Sequence, residues 1–597
     1  MKKYLLVMLI FLIYQTAASA KESVIMSAME DELARSMKEL KLDDKKGPYY
    51  ISYLIKDTYL LSIAADSGAI ISNSENRVRI LKTDLRVGDY TLDNSNFLSL
   101  LNMASMISSS NSRLTVDDDY DVLRRQIWLA TDGAYKAALD KIAKKKAALQ
   151  NTVQTEKLPD FTKSSATSII RPEASFSIQR EQWASVVDQL SRLFIKQQQI
   201  QNSKVGLRIQ VINSYYVNSE GARSIEPAAI SQLLVTATTQ AEDGMPVGDL
   251  LVYKASDPGE LPELEKLKLD VNRMINELLM TRTAPVAEDY NGPILFVGQA
   301  AGELFGQGIG KFLLGRRVPL ADNPRLNSML GLTMGNPFLN KINKRVAAKF
   351  LSITAEPKLK DFKGKSLMGA YEIDEEGVLS QDVSLIENGI LMNLLTTRVP
   401  VKGFAQSNGH FRDGVPTPSV IHITSTNTLT PEQLKQELIN VVEDEGLPYG
   451  YMVKGLIPPS VEAQMMGSDI VSSLLVRQQG PSEPTQFSLT RPYSISRVYP
   501  DGKEEVVRGL EFRSHSINIL KKIEATSNNE IVYNYPTNAP SVSSGMASTL
   551  LRLLGGAGMP GQNFSTVITP SFLISEIDMK KISSNFSKPP IVDYPMK

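Results

Sequence analysis

The chain has 597 residues, of which 42% are hydrophobic and 22% charged, a balance typical of globular proteins and a length sufficient for several domains. Lysine and arginine together number 65, as do aspartate and glutamate, and no dense basic run favours a nucleic-acid-binding protein. The absence of cysteine excludes disulfides, cysteine nucleophiles and thiolate metal sites, and only three histidines are present, His410, His422 and His515.

Residues 1–20 have the three parts of a secretory signal peptide. Lys2 and Lys3 precede an apolar run from Tyr4 to Tyr14, and Ala18-Ser19-Ala20 forms a small-x-small cleavage site. This apolar run is too short to favour a membrane anchor, since a spanning helix needs about 20 apolar residues. We therefore expect cleavage after Ala20, export to the periplasm or the extracellular space, and no membrane span in the mature chain.

Residues 21–285 are predicted to form a mixed α/β domain. Apolar residues at helical spacing predict four helices, and β-rich runs bounded by turn residues predict two pairs of strands. The predicted helices cover residues 23–41, 122–150, 180–201 and 261–282, and the strands fall within 49–66, 68–90, 206–227 and 230–244. A turn is expected at residues 218–221.

From residue 286 to the C-terminus, strand-like segments dominate. Asn388-Gly389 and Asp501-Gly502 are typical of tight hairpin turns. One helix is expected after Thr430, with Pro431 in its first turn, Gln433 completing a capping box and Gly446 at its end. The predicted fold class is α+β, with an N-terminal mixed α/β domain (21–285) followed by a C-terminal, mainly antiparallel, curved or barrel-like β domain (286–597).

Four stretches carry a resemblance to a known family. They are YYVNSEG (215–221), EIDEEGVLSQDVSLIENGILMNLLTTR (372–398), SNGHFRDGVPTPSVIHIT (407–424) and VITPSFLISEID (567–578). In this order they resemble a closing hairpin, a D-x-E-G hairpin, a Gly/Arg-rich turn before a Pro-containing strand, and the last strand of the TldD/PmbA family. These are metallopeptidase-related proteins once called modulators of DNA gyrase.

The resemblance implies more than the fold. Members of the family act as dimers, often with one zinc-bearing subunit and one zinc-less sister, and they admit peptides or unfolded chains to a cavity between the subunits. The zinc-bearing type carries His-Glu-x-x-x-His on a helix at the start of the C-terminal domain, and a cysteine near the C-terminus completes its site. We therefore expect a peptide or unfolded-protein substrate and a homodimer or a heterodimer with a zinc-bearing sister.

The zinc ligands of that motif are missing here. In residues 302–307, Gly302 and Gln307 stand at the two histidine positions and Glu303 at the acid, while a register starting at Val297 offers no histidine either. In the segment 556–562, Ala557 stands at the cysteine position. Glycine and alanine offer no ligand and a glutamine amide is a poor one for zinc. We expect no metal cofactor and a zinc-less, PmbA/TldE-like chain.

Several residues are candidates for function, each with a simpler alternative. Glu303 is a candidate catalytic acid or a vestige of one, and otherwise a helix-surface residue or a partner of Arg316 or Arg317. Arg412, with Asn408 and His410 in the same turn, is a candidate for substrate binding, because a guanidinium can hold a peptide carboxylate, and otherwise a surface arginine beside Asp413.

A metal site rebuilt from His410 and His422 with Asp413 or Glu303 is a weaker alternative, and His515 is expected at the surface or in a strand with its hydrogen bonds made. The leading hypothesis is a pseudo-peptidase subunit that helps form a dimeric peptide cavity. An active metallopeptidase with unusual ligands and a stand-alone peptide-binding protein remain open.

Overall fold

The computed structural model describes residues 23–99, 111–150, 157–175, 178–466, 485–537, 563–583, 586–588 and 590. The predicted signal peptide with its cleavage site, and the segment 556–562 with Ala557, lie outside these residues. No helix within the described ranges is both long and apolar enough to cross a bilayer.

The described residues form eight α-helices: α1 (Val24–Glu39), α2 (Tyr120–Gln150), α3 (Arg180–Ser191), α4 (Leu264–Thr283), α5 (Gln299–Glu303), α6 (Pro324–Met334), α7 (Pro431–Asp444) and α8 (Pro459–Met466). The helices predicted before residue 285 are confirmed, but α3 ends about ten residues early, since a 3₁₀ turn at Arg192–Phe194 leads the chain into the next strand. The capping box of α7 is confirmed, because Thr430 and Gln433 each accept the other's backbone N–H.

Strands of the N-terminal half are β1 (Tyr50–Asp66), β2 (Ala69–Arg86), β3 (Phe97–Leu98), β4 (Asn111–Leu114), β5 (Ser168–Ile170), β6 (Asn202–Asn218), β7 (Arg223–Gln240) and β8 (Pro246–Ala255). Strands from β9 to β20 are β9 (Tyr290–Phe296), β10 (Leu320–Ala321), β11 (Leu351–Ala355), β12 (Asp361–Phe362), β13 (Lys365–Ser366), β14 (Val383–Glu387), β15 (Ile390–Leu391), β16 (Phe411–Arg412), β17 (Val415–Pro416), β18 (Val420–Ser425), β19 (Thr428–Leu429) and β20 (Gly450–Leu456). The remainder are β21 (Gln486–Phe487), β22 (Pro492–Val498), β23 (Glu504–Val506), β24 (Leu510–Phe512), β25 (His515–Ser516), β26 (Ile523–Ser527), β27 (Ile531–Pro536), β28 (Phe564–Thr569) and β29 (Phe572–Lys581).

The N-terminal sheet separates a helical layer from the C-terminal domain. Its strand order is β4-β2-β1-β6-β7, with β5 and β8 both paired to β7. Ile51 and Tyr53 of β1 pack with α1 and α2, while Leu61 and Ile63, on the same face, pack with α3 and α4. Because side chains alternate along a strand, Lys56 points to the opposite face, where it forms an ion pair with Glu375 of the C-terminal domain at 2.8 Å.

The C-terminal half is built on two sheets that share one core. The first has the order β15-β14-β11-β18-β28-β27, and the second has the order β19-β26-β29-β9-β20-β22-β23 with β24 on β29. Phe296 and Ile574 of the second sheet and Ile353 and Leu385 of the first are at most 1% exposed and belong to one hydrophobic cluster. Most pairs are antiparallel, as predicted, but neither sheet closes on itself, so the barrel-like alternative is not realised.

The expected last strand is two strands. β28 belongs to the first sheet and β29 to the second, and the chain passes between them at Pro570. Proline donates no backbone hydrogen bond, which suits a position where one ladder ends and another begins. The predicted hairpins at Asn388-Gly389 and Asp501-Gly502 are confirmed, since they join the antiparallel pairs β14–β15 and β22–β23.

Candidate functional site

The segment after β9 is a buried helix whose geometry changes twice. The α-helical turn α5 is followed by a π-helix over Leu304–Ile309 and a 3₁₀ turn over Gly310–Leu313. π-Helical turns are uncommon and are often found at functional sites. Ala300, Leu304 and Phe305 are fully buried, so this helix packs in the hydrophobic core.

Two tyrosines of β27 lie against the glycine-rich face of this helix. The Tyr533 side chain covers Gly302, so that a Cβ atom at position 302 would lie 2.5 Å from Tyr533 Cβ and Cγ. Tyr535 covers Gly306 in the same way, at 3.4 Å, and the two tyrosine rings stack with centroids 6.1 Å apart. Tyr533 therefore occupies the space that a histidine side chain at position 302 would need.

Glu303 is enclosed by hydrogen-bond donors. The Tyr533 hydroxyl donates to Oε1, Gln307 Nε2 donates to Oε2 at 2.7 Å, and Gln299 Nε2 lies 3.4 Å from Oε1. Burial raises the pKa of the Glu303 carboxyl, and the two shorter hydrogen bonds and the charge of Lys254 act in the opposite direction. At 3% exposure Glu303 is not a helix-surface residue, so that alternative is wrong.

The expected pairing of Glu303 with Arg316 or Arg317 is also wrong. Arg317 donates to the Pro159 carbonyl at 2.8 Å and lies 3.6 Å from Asp160. The Glu303 side chain instead hydrogen-bonds Tyr533 of β27 and Gln307.

Gln307, at the second histidine position, has its amide fully engaged. Its Nε2 donates to Glu303 and to Thr490 Oγ1 at 2.9 Å, and its Oε1 accepts the Thr490 backbone N–H at 2.8 Å. No group of three or more His, Asp or Glu side chains able to hold a metal occurs in the described part of the chain. The residues present around Glu303 therefore do not fit a zinc ion, which needs three protein ligands and an open position.

A lysine completes the surroundings of Glu303. Lys254 Nζ on β8 donates to the Asn534 carbonyl at 2.6 Å and lies 5.3 Å from the centre of the Tyr533 ring. Burial lowers the pKa of Lys254 to about 8, while the negative charge of Glu303 acts against that shift. The site thus combines a buried acid with a lysine of lowered pKa, held by hydrogen bonds and lacking metal ligands.

The hairpin of residues 372–398 organises the boundary between the two domains. Asp374 Oδ1 accepts the backbone N–H groups of Glu376 and Val378, both at 2.9 Å, and Oδ2 accepts that of Phe411 at 3.1 Å. Burial and the neighbouring Glu376 charge raise the pKa of Asp374 to about 8. This carboxyl therefore fixes the turn that carries the acidic residues.

Arg398, at the end of this hairpin, ties the C-terminal domain to the N-terminal domain. Its side chain is 1% exposed, forms a 2.6 Å ion pair with Glu220 and donates to the Thr162 carbonyl at 2.5 Å. Its guanidinium also lies 3.9 Å from the centre of the Phe161 ring. A residue of the family-like motif thus has an interdomain structural role.

A cavity of about 600 Å³ lies between the free face of the N-terminal sheet and the segment 366–375. Arg412 lines it, with Nη1 donating to the Phe564 carbonyl at 2.9 Å and the guanidinium 4.7 Å from the centre of the Tyr371 ring. Asn408 and His410 lie outside the cavity lining. The assignment of all three to substrate binding stays a prediction, and only Arg412 is placed where a ligand could reach it.

The polar atoms of Asn408 and His410 are used within the protein. Asn408 accepts the Thr396 backbone N–H at 2.8 Å and donates to the Leu394 carbonyl at 2.9 Å. His410 is fully buried, its Nε2 lies 3.1 Å from Ser419 Oγ, and burial lowers its pKa to about 3.

The other two histidines are also placed apart from Glu303. His422 lies between Glu356 and Glu530, at 3.5 and 3.2 Å, and these contacts raise its pKa. His515 is buried among aromatic rings, and burial lowers its pKa to about 4, so a surface position for it is wrong. Within the described ranges, the rebuilt metal site has no set of ligands.

The residues around Glu303 that sequence reasoning missed come from distant parts of the chain. Tyr533 lies 230 residues along the chain from Glu303, and Thr490 lies 183 residues from Gln307. The spacing of Gly302 and Gly306 was the available signal, because two glycines one helical turn apart leave room for large side chains.

Comparison with known proteins identifies a family domain in the C-terminal half of the chain. Residues 290–581 match the sequence profile of a family domain described as the PmbA/TldA metallopeptidase C-terminal domain. A search of the curated proteins finds no match to this chain.

Solved structures with the same overall fold cover nearly the whole chain. A candidate modulator of DNA gyrase from Thermotoga maritima has a TM-score of 0.56 at 14% identity, over 93% of this chain and 99% of its own. TldE from Thermococcus kodakarensis has a TM-score of 0.55 at 13% identity, over 92% and 99%. A candidate modulator of DNA gyrase from Bacteroides thetaiotaomicron has a TM-score of 0.55 at 12% identity, over 94% and 98%.

Proposed function

This chain belongs to the TldD/PmbA family, and we propose that within it the chain is a zinc-less, non-hydrolytic subunit of the PmbA/TldE-like type. The observation that carries the proposal is the position of Tyr533, whose side chain fills the space beside Gly302 and hydrogen-bonds Glu303. The helix at the metal position of the zinc-bearing type is here part of the packed core.

Hydrolysis by the zinc-bearing type needs a metal-bound water and a general base. Position 302 offers neither a ligand nor room for one, and the Gln307 amide is bonded to Glu303 and Thr490. Glu303 is enclosed by Tyr533 and two glutamines, so its carboxylate faces protein donors where a general base would face water. These contacts support a structural role for Glu303 as a remnant of the catalytic acid.

The subunit would act in an assembly that encloses a peptide-binding cavity. Its partner would be a second copy or a zinc-bearing sister, and its substrate a peptide or an unfolded chain. The segment of residues 1–20 supports export, so that the assembly would work in the periplasm or outside the cell. The open cavity beside Arg412 also supports the alternative of a stand-alone peptide-binding protein.

Hydrolysis assays test the proposal. The purified chain is incubated with unfolded protein and with short peptides, alone, with added zinc and with a chelator. We expect no cleavage in any condition. Chelator-sensitive cleavage that is lost in Glu303→Gln would instead establish an active metallopeptidase with unusual ligands.

Purification from native extracts distinguishes the remaining alternatives. A subunit of an assembly is expected to elute as a dimer or with a chain that carries His-Glu-x-x-x-His. A monomer that binds peptide without any companion would support the stand-alone peptide-binding protein.

A further inference from the structure

The cavity beside Arg412 has the size and the walls of a ligand site. Its volume of about 600 Å³ falls within the range of about 300–1,000 Å³ found for ligand pockets. One wall is the face of β6 and β7 that carries Ile212, Glu226 and Ile230, and the opposite wall includes Tyr371 and Arg412. Ala228, in the same lining, is exposed, so the cavity opens to solvent along β7.

Most charged groups of this cavity are neutralised by a neighbour. Lys56 pairs with Glu375 at 2.8 Å, and Glu372 pairs with Arg171 at 2.6 Å and with Lys360 at 3.1 Å. These contacts account for five of the charged lining residues. Asp374, also in the lining, forms no ion pair within the described ranges, but its two oxygens accept three backbone N–H groups.

Arg412 and Glu226 also form no ion pair with a residue in the described ranges, and each makes fewer hydrogen bonds than Asp374. Arg412 is 7% exposed, and among the described residues only its Nη1 has acceptors, the carbonyls of Phe564 at 2.9 Å and Gly369 at 3.5 Å. Glu226 accepts a backbone N–H from Glu372 at 3.2 Å; burial raises its pKa, while backbone hydrogen bonds and the charge of Arg412 act in the opposite direction. A buried charge without an ion-pair partner is unfavourable unless a ligand completes it.

The adjoining backbone favours an extended ligand. β5 pairs with β7 only as far as Ile225, and β8 pairs with it only from Ser231 onwards. Residues 226–230 of β7 therefore have a strand neighbour, β6, on one side only within the described structure. Ile225 directs its carbonyl to this edge, where it accepts the Arg171 N–H, so the next outward-facing residues are Pro227 and Ala229. Because proline has no N–H, the edge offers two carbonyls and the Ala229 N–H to the backbone of a peptide.

We propose that this cavity binds a short peptide with free termini, its ammonium group on Glu226 and its carboxylate on Arg412, along the edge of β7 at residues 226–230. The negative charge of Glu226 and the positive charge of Arg412 match the two charged ends of a zwitterionic ligand. The edge of β7 favours a peptide over other zwitterions, because a peptide has a backbone that can hydrogen-bond to it. The site is separate from Glu303, since Phe564 stands between the cavity and Lys254. The biological role of this binding rests on the proposed non-hydrolytic function. The binding itself does not, because it requires neither zinc nor cleavage.

Calorimetric titration with di-, tri- and tetra-alanine tests the proposal. Each peptide is used with free termini, as the N-acetyl form, as the C-terminal amide and with both ends blocked. We expect the free form of at least one length to bind, and each blocking group to weaken binding by about tenfold or more, as a lost charge-assisted hydrogen bond would. Equal affinity for free and blocked forms, or no binding of any free form, would overturn the proposal.

Two variants assign the termini to the residues. Glu226→Gln keeps the acceptor for the Glu372 N–H, so it should fold normally and should no longer distinguish the free from the acetylated peptide. Arg412→Met should lose the preference for the carboxylate over the amide and keep the preference for the free amine. Identical losses for all four forms in both variants would contradict this assignment.

Matched controls are Glu265→Gln and Arg513→Met, whose side chains are 81% and 51% exposed on other surfaces and which should leave every affinity unchanged. If Arg412→Met unfolds, Glu226→Gln alone still tests whether Glu226 binds the ammonium group of the peptide. Failure of peptide binding leaves the zinc-less assignment intact, whereas cleavage in the hydrolysis assay would overturn that assignment without affecting the binding result.

Discussion

The Tyr533 hydroxyl donates a hydrogen bond to the Glu303 carboxylate, and the same tyrosine covers Gly302 so closely that a side chain there would overlap its ring. One residue thus holds the acid in place and fills the neighbouring position. The absence of a side chain at position 302 and the placement of Tyr533 are therefore coupled in the structure, and each is best tested together with the other.

Gly302→Ala should destabilise the fold by about 1–3 kcal/mol, because the added methyl overlaps the Tyr533 side chain in a packed core. The measurement is the free energy of unfolding from urea titration. Combining Gly302→Ala with Tyr533→Ala should cost less than the sum of the two single changes, since the Tyr533 Cγ and ring atoms that the methyl would overlap are then absent and only the contact with Cβ remains.

Gly331→Ala is the matched control for this pair. Gly331 lies in α6, and among the described residues no heavy atom outside the backbone of this helix lies within 4 Å of the position its Cβ would take. This change should be neutral or stabilising by up to about 1 kcal/mol, as for alanine in a helix. Strictly additive effects of Gly302→Ala and Tyr533→Ala would contradict the overlap.

Glu303→Gln should remove a pH dependence of stability. The carboxyl has a pKa above its ordinary value of 4.5 in the folded protein, so the folded state binds more protons than the unfolded state between these values. Stability therefore falls as pH rises from about 4.5 through the raised pKa. Urea unfolding from pH 4.5 to 6.5, below the titration of Lys254, should show a flatter profile for Glu303→Gln than for the wild type.

The exposed Glu265→Gln, with a side chain 81% exposed, serves as the reference, and its profile should follow that of the wild type. A Glu303→Gln profile parallel to the wild type would mean that Glu303 is not held in a buried, hydrogen-bonded state.

The three histidines should titrate in two distinct ranges. Contacts with Glu356 and Glu530 raise the pKa of His422 above 6.5, whereas burial lowers the pKa of His410 to about 3 and that of His515 to about 4. Because its folded pKa is raised, His422 stabilises the fold below pH 6.5 and loses that contribution as pH rises through the raised value.

NMR of histidine-labelled protein measures all three at once. One imidazole should titrate above pH 6.5, and two should stay neutral down to about pH 5. A His422→Gln variant assigns the first signal. Two or three imidazoles titrating near 6.5 would contradict the burial of His410 and His515.

Arg398→Met should destabilise the contact between the domains by about 3–5 kcal/mol, because it leaves the partly buried Glu220 carboxylate and the Thr162 carbonyl without their cation. Urea unfolding and limited proteolysis near residue 162 measure the effect. Arg513→Met, which breaks an exposed pair with Asp289, should cost no more than about 1 kcal/mol. Equal effects of the two changes would argue against the interdomain role.

Local features of the fold could be predicted because their causes are local. The capping box at Thr430 and Gln433 and the turn at Asn388-Gly389 depend on residues within one turn of each other. The open form of the C-terminal sheets could not be predicted in this way, since it depends on pairings such as that of β9 with β29, which are nearly 300 residues apart.

The candidate site likewise combines features that the sequence predicts with features that depend on tertiary structure. The prediction that Gly302 and Gln307 stand where the zinc-bearing type has histidines follows from the sequence motif alone. The contacts of Tyr533 with Glu303 and of Thr490 with Gln307 could not be predicted, because β27 and the chain before β22 reach this helix only in the folded domain. The unpaired Glu226 opposite Arg412 likewise depends on two domains meeting at one cavity.

The central claim, that this family member has no zinc site, is tested most directly by its metal content. The purified chain is dialysed against buffered micromolar zinc, and the metal bound per chain is measured by mass spectrometry, with Glu303→Gln and Gln307→Ala alongside. We predict well under one zinc per chain, unchanged in both variants. One zinc per chain in the wild type, lost in either variant, would contradict the assignment.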